Sequence, residues 1–380
     1  PLTQHHQRHT RPHSHSLLCV DSVPSRTMVL LPRSGSSSLI ASASNTIAPC
    51  PPYRRPYVPN PSLKGIFAGS GSASMSNPYI ARAVIELTQR PPQDVSLLYI
   101  GTASYDINKF RDKQTDLFSK MGVTVESLNL ANQYVPKEEM EEAVDKADII
   151  LVSGGNTLYA VDRWEYLGLD ELLRGAAHRG KVMAGGSAGA ICWFDGGHSD
   201  SRDPDTYRLS MLNQFEGNAD PSSESNGQNN EDDGNSKDWE YIRVEGLGIW
   251  PGLVCPHYDR IQSNGVLRMT DFDSMMKRHP HELGIGIDHH AALEVDGDEF
   301  RILSIPGQTG SVNLEDADGK GRAPGAWIKY VDDDGTVHSK ICPRSGKVTD
   351  LLQMLEDPQK HLLLDEEVEL CRKENPLLKD

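Results

Sequence analysis

No apolar run in this 380-residue chain approaches the ~20 residues that a helix needs to cross a bilayer, so no membrane-spanning helix is expected. Positive charge is in short supply. Lys and Arg number 38 against 54 Asp and Glu, and the net charge of −16 argues against nonspecific nucleic-acid binding or docking on an anionic membrane. The six cysteines (Cys19, Cys50, Cys192, Cys255, Cys342, Cys371) are scattered and form no C-x-x-C pair. They read as reduced thiols of a reducing compartment rather than a disulfide framework, with Cys192 and Cys255 expected as buried small hydrophobes. An H-E-x-x-H helix is also missing, so zinc is not expected. Hydrophobic residues make up only 37%, low for a compact globule of this length, which places part of the chain outside any core.

That part begins at the N-terminus. Residues 1–64 hold seven Arg and Lys against the single acid Asp21, with no apolar periodicity, leaving −22 on the remainder. Such an Arg- and Ser-rich, acid-poor stretch is similar to organelle transit peptides; a disordered extension reads equally well. The expected location is cytoplasmic, or organellar if the extension directs import. A second irregular stretch, 218–238, is Ser, Asn, Gly, Asp and Glu without a large apolar residue, and reads as a disordered acidic insertion. The expected organisation is an extension over 1–64, one catalytic domain over 65–345, and a helical tail over 346–380.

Within 65–345 the text is regular. Strands are expected at 65–68, 96–100, 123–128, 148–152 and 181–184, with helices at 79–89, 107–121, 137–146 and 169–179 between them. Strands follow at 283–287, 292–295, 300–305, 327–331 and 337–341. Alternation at this spacing predicts an α/β fold with a mostly parallel sheet and helices on both faces. The loop Gly69-Ser70-Gly71-Ser72 resembles a dinucleotide fingerprint but has Ser74 at its third glycine, so no nucleotide cofactor is expected.

The most telling segment is Gly185-Gly186-Ser187-Ala188-Gly189, entered by a short apolar run and followed by apolar Ile191, Cys192, Trp193 and Phe194, read as a helix. This is the pattern of a nucleophile elbow, where small neighbours let a serine adopt a strained turn at the head of a helix. A serine needs a base to take its proton and a carboxylate to orient that base. His257, in Cys255-Pro256-His257-Tyr258-Asp259, follows an apolar run and so stands at a strand end, as base or as a structural histidine. Asp288-His289-His290 follows another such run. Gly154-Gly155-Asn156 ends the strand before the elbow, and its N–H groups can complete an oxyanion hole with that of Ala188.

Ser153-Gly154-Gly155-Asn156-Thr157, then Gly185-Gly186-Ser187-Ala188-Gly189-Ala190, then Cys255-Pro256-His257-Tyr258-Asp259 and Gly284-Ile285-Gly286-Ile287-Asp288 resemble peptidase family S51 in four separated motifs in order. That family includes dipeptidase E, the alpha-aspartyl dipeptidase, and is related to cyanophycinase. The resemblance implies a fold similar to class I glutamine amidotransferases and flavodoxin. It also implies hydrolysis of small peptides without metal or cofactor, by a monomer or homodimer. Carried over, Ser187 is the nucleophile, His257 the base, Gly155 and Ala188 the oxyanion donors, and Asn156 and Thr157 substrate contacts. The family places an acid where this chain has His289. Asp288, one residue earlier, is the first candidate for the orienting carboxylate and Asp200 the second; failing both, the triad is impaired. A preference for N-terminal Asp would need a cation, for which Arg163, Arg202, Arg208, Arg243 and Arg260 are available. An α/β-hydrolase esterase is the competing enzyme reading, disfavoured because its acid should precede its histidine. A non-catalytic binding protein is the competing reading from another class.

Overall fold

The computed structural model describes residues 62–208, 212, 238–314 and 321–353. Strand β1 (Lys64–Ala68) is followed by α1 (Ser72–Met75) and α2 (Pro78–Glu86), then β2 (Ser96–Ile100), α3 (Asn108–Lys120) and β3 (Thr124–Leu128). Helix α4 (Lys137–Lys146) leads to β4 (Ile149–Val152), and α5 (Thr157–Leu167) with α6 (Leu169–His178) to β5 (Val182–Gly186). The one-turn helix α7 (Ala188–Ile191) carries the chain into β6 (Phe194–Ser199), β7 (Ile242–Glu245), β8 (Trp250–Cys255), α8 (Arg268–Arg278) and β9 (Gly284–Ile287). Then come β10 (Ala291–Asp296), β11 (Glu299–Ser304), β12 (Val312–Leu314), β13 (Gly321–Ala323), β14 (Ala326–Val331), β15 (Val337–Ile341), β16 (Ser345–Lys347) and α9 (Val348–Gln353).

These strands form two large sheets rather than the one expected. The first runs β16-β11-β10-β1-β5-β4-β2-β3, with β1, β5, β4, β2 and β3 parallel and the other three antiparallel. The second runs β15-β14-β9-β8-β6-β7 around the parallel trio β6, β8 and β9. Side-chain alternation divides the first sheet's apolar residues between two cores. Ile66, Leu97, Tyr99, Ile149, Leu151 and Ala184 join α2 and α3 on one face. Phe67, Leu98, Ile100, Ile150, Val152 and Met183 join α4, α5, α6 and the second sheet's Val254, Ile285 and Ile287 on the other. Helices on both faces of a parallel centre are therefore observed, and the second sheet closes one side.

Two local readings need correction. The apolar run Ile191-Cys192-Trp193-Phe194 does not extend a helix: α7 is four residues long and β6 begins at Phe194. Short apolar runs do not distinguish helix from strand, and Gly196 and Gly197 favour neither. Helix α5 was not anticipated, although its signals are present. Asn156 caps it by accepting from the Tyr159 N–H at 3.0 Å, and Gly168 closes it in the left-handed region at φ 76°. Cys192 and Cys255 are buried as expected. The extension before residue 62, the 218–237 stretch and the tail beyond 353 lie outside the described residues.

Candidate active site

Two crossings between the sheets meet at the carboxyl ends of the parallel strands, the usual place for a site in an open α/β sheet. One is Ser187, between β5 of the first sheet and α7. The other is Asp288-His289-His290, between β9 of the second sheet and β10 of the first. The Gly69-Ser70-Gly71 loop, set aside as a failed nucleotide motif, joins them. A Cβ on Gly69 would stand 1.9 Å from the Asp288 carbonyl oxygen, and one on Gly186 1.9 Å from the Ser70 carbonyl oxygen. Both approaches demand glycine.

Ser187 is half-buried at φ 56° and ψ −123°, outside the ordinary regions for a side-chain-bearing residue. Such strain costs roughly 1–3 kcal/mol and is sustained by its surroundings. Its N–H donates to the Ala68 carbonyl at 3.1 Å. His257, also at positive φ (50°), donates its N–H to the next carbonyl, that of Gly69, at 2.9 Å. The end of β1 and the residue after it thus anchor the backbones of both the serine and the histidine. As first residue of α7, Ala188 has an N–H with no intrahelical acceptor. Gly155 adopts φ 131°, where a Cβ would stand 2.2 Å from the Ala103 carbonyl oxygen.

The imidazole of His257 meets another imidazole. Its Nδ1 lies 2.7 Å from Nδ1 of His289, with ring centroids 4.8 Å apart, and His290 stands edge-on to His289 at 4.5 Å. Burial, with His289 next in effect, holds the His257 pKa well below its ordinary value. Burial, His290 and Arg260 push that of His289 down to about 3. Both rings are therefore neutral near pH 7. The His289 N–H donates to Asp259 Oδ1 at 2.7 Å, which fixes the backbone beneath the ring.

The structure does not bring the carboxylate of Asp288 to His257. Asp288 Oδ1 accepts from the Ser311 hydroxyl at 2.7 Å, and Oδ2 accepts from the N–H groups of Ser311 at 2.8 Å and Gly325 at 3.0 Å. Asp288 thus ties β9 to the β12–β14 segment. Its pKa is raised by burial and by Asp259, against the lowering effect of those hydrogen bonds. Asp200 is likewise engaged elsewhere, accepting from Nη1 of the wholly buried Arg268 at 3.2 Å. Asn156 and Thr157 have their side chains engaged within the protein. Asn156 donates to the Ser201 carbonyl at 3.1 Å and Thr206 Oγ1 at 3.0 Å while capping α5. Thr157 Oγ1 accepts from Ser199 at 3.3 Å, and both residues are buried. Sequence reading missed the His257–His289 pairing and the role of Gly69. The signals were the paired histidines after Asp288 and the small residues after β1.

Among the described residues no group of three or more His, Cys, Asp or Glu could hold a metal ion, and no helix is long and apolar enough to cross a membrane.

The fold is α/β, and the family to which the sequence belongs makes the chain a hydrolase. The model described as Peptidase family S51 matches residues 66–303, and the chain belongs to that family. It is 33% identical over 198 residues to the uncharacterized peptidase YgaJ of Bacillus subtilis (strain 168), covering 52% of this chain and 70% of that one. It is 28% identical over 315 residues to a Trypanosoma brucei brucei protein named G2/mitotic-specific cyclin-1, covering 77% of this chain and 88% of that one. A crystal structure of a peptidase from an acI-B1 Actinobacterium superposes with a TM-score of 0.47 at 18% identity, covering 75% of this chain and 96% of that one.

Proposed function

We propose that this peptidase is of the serine type and hydrolyses dipeptides or other small peptides, with Ser187 as nucleophile and His257 as general base. The observation that supports this best is the attachment of both residues to consecutive carbonyls, Ala68 and Gly69, at one strand end. His257 Nε2 takes the proton of Ser187 Oγ as Oγ bonds to the substrate carbonyl carbon. The oxyanion is received by the N–H groups of Ala188 and Gly155. Nε2–H then protonates the departing amine as the C–N bond breaks. Water, deprotonated by His257, releases the acid and restores Ser187.

For an N-terminal Asp substrate, Arg260 is the cation that supports the reading. Its Nε is buried without a hydrogen-bond partner, its nearest carboxylate oxygen is 3.8 Å away in Asp259, and it perturbs His257 and His289. Arg163 and Arg243 are committed to backbone carbonyls and to Glu282 respectively. The experiment is a dipeptide panel run alongside a fluorophosphonate probe. Wild type is expected to be labelled at Ser187 and to favour acidic N-termini. Ser187→Ala should lose both signals, with turnover falling on the order of 10⁶-fold. Unchanged turnover in Ser187→Ala would exclude the serine mechanism, and an inert wild type that folds normally would favour a binding protein.

A further inference from the structure

Two imidazole Nδ1 atoms at 2.7 Å share one proton, since a hydrogen bond between them needs one N–H and one lone pair. If His257 is the donor, its Nε2 carries the lone pair that a general base must present. If His289 is the donor, Nε2 of His257 carries a hydrogen and cannot take a proton. The choice of tautomer therefore decides whether the site works.

We propose that His289 is the positioning residue of this site, a neutral imidazole that accepts the Nδ1–H of His257 in place of a carboxylate. The inference rests on the reading of Ser187 and His257 as nucleophile and base. Three observations carry it. Asp288 and Asp200, the acids nearest in the motifs, are bonded to Ser311 with Gly325 and to Arg268 respectively, leaving Nδ1 of His257 to His289. The His289 backbone is fixed by Asp259, and its ring is flanked edge-on by His290. The charged and titratable groups around the pair are Arg260, Arg268 and His290 with the carboxyls of Asp259 and Asp288; Arg260 and His290 oppose a second proton on the His289 ring, which therefore stays neutral with one nitrogen free to accept.

During the reaction the Ser187 proton moves to Nε2 of His257. The Nδ1–H bond to His289 then becomes charge-assisted and strengthens as the imidazolium forms. His289 remains neutral, and the proton leaves from Nε2 to the amine. A neutral acceptor orients as a carboxylate does but offers less to the cation. The base consequently titrates at lower pH than a carboxylate-backed histidine.

The test reads the rate of fluorophosphonate acylation of Ser187 against pH in wild type, His289→Phe and His289→Glu, so no natural substrate is required. Wild type is expected to keep its rate below pH 6. His289→Phe, which keeps a ring but removes the acceptor, should slow acylation about 10²–10³-fold at saturating probe with little change in probe affinity. His289→Glu should restore most of the rate and move the acid limb up by at least one pH unit. Should His289→Phe not fold, ¹⁵N-histidine NMR of the wild type carries the test, with His257 expected as the Nδ1–H tautomer. A rate within twofold in His289→Phe, an acid limb unmoved in His289→Glu, or an Nε2–H His257 would each overturn the inference. Labelling that survives Ser187→Ala would instead overturn the serine mechanism beneath it.

Discussion

Ser187 and His257 hang from adjacent residues of one strand end, the serine from the Ala68 carbonyl and the histidine from that of Gly69. Seventy residues of sequence separate them, and they reach the strand end from different sheets. The attachment is by backbone, so it fixes where the side chains start while leaving their polar atoms free for chemistry. Both residues have positive φ. The strain of holding them is sustained by the close packing of Gly69 on Asp288 and of Gly186 on Ser70.

Gly69→Ala should therefore disrupt the site and the sheet junction together. Its Cβ would lie 1.9 Å from the Asp288 carbonyl oxygen and 2.7 Å from the carbonyl carbon, both backbone atoms that cannot step aside. A stability loss of about 3 kcal/mol or more is expected in urea titrations, with activity reduced at least tenfold. Gly307→Ala serves as the control. Its Cβ meets nothing within 4 Å, and only the left-handed backbone at φ 75° costs it, about 1–2 kcal/mol.

The two acids singled out by the motifs should prove structural. Asp288→Asn keeps an oxygen for the Ser311 and Gly325 N–H groups, so kcat should stay within about tenfold of wild type. Asp288→Ala strands three donors and should cost about 2–5 kcal/mol of stability. Asp200→Asn leaves the buried Arg268 cation without its carboxylate, a loss on the order of 3 kcal/mol that Arg268→Met should partly relieve in the double variant. A 10⁴-fold fall in kcat for Asp288→Asn with an unchanged melting temperature would instead restore it as the orienting acid.

Stability should decline as the solution is acidified below about pH 6.5. Four histidines have folded-state pKa values below the ordinary one: His257, His279, His289 at about 3, and His198 at about 4, each chiefly through burial. The unfolded chain binds more protons than the folded one across that window. The stabilisation is therefore complete above pH 6.5 and is lost as pH falls toward the folded values, by up to ~1.4 kcal/mol per pH unit for each group. Asp288 and Asp106, whose pKa values are raised, act oppositely, and the four histidines outnumber them. Melting temperatures between pH 7.5 and 5 check this. His198→Gln should flatten the slope, because His198 is buried with Nε2 on Asp271 and Nδ1 unpaired.

Much of this was legible in the chain because it is local. The elbow is written in consecutive small residues around Ser187, where sterics leave few alternatives. The parallel strands announce themselves as all-apolar runs such as Ile149–Val152, since a strand covered on both faces has no polar side. The misread segment from Ile191 to Phe194 shows the limit of such reading. Four apolar residues fit a helix or a strand; the helix stops at Ile191, and only pairing of β6 with β7 and β8 makes Phe194 the start of a strand.

Sequence by itself determined that this is an α/β chain with a strained serine at a strand end, a histidine at another and an Asp-His-His run at a third. Those properties follow from residue type and short-range sterics. Tertiary structure alone decided which partner each polar group took. Asp288 turns to Ser311, 23 residues away, because the β12–β14 segment delivers one hydroxyl and two N–H groups to its carboxylate. His289, the next residue, points across the seam between two sheets to a ring 32 positions earlier. Asp288 to Ala291 is a tight turn, closed by the Ala291 N–H on the Asp288 carbonyl at 2.9 Å, so adjacent residues there face different neighbours. Which neighbour is met depends on how the two sheets pack.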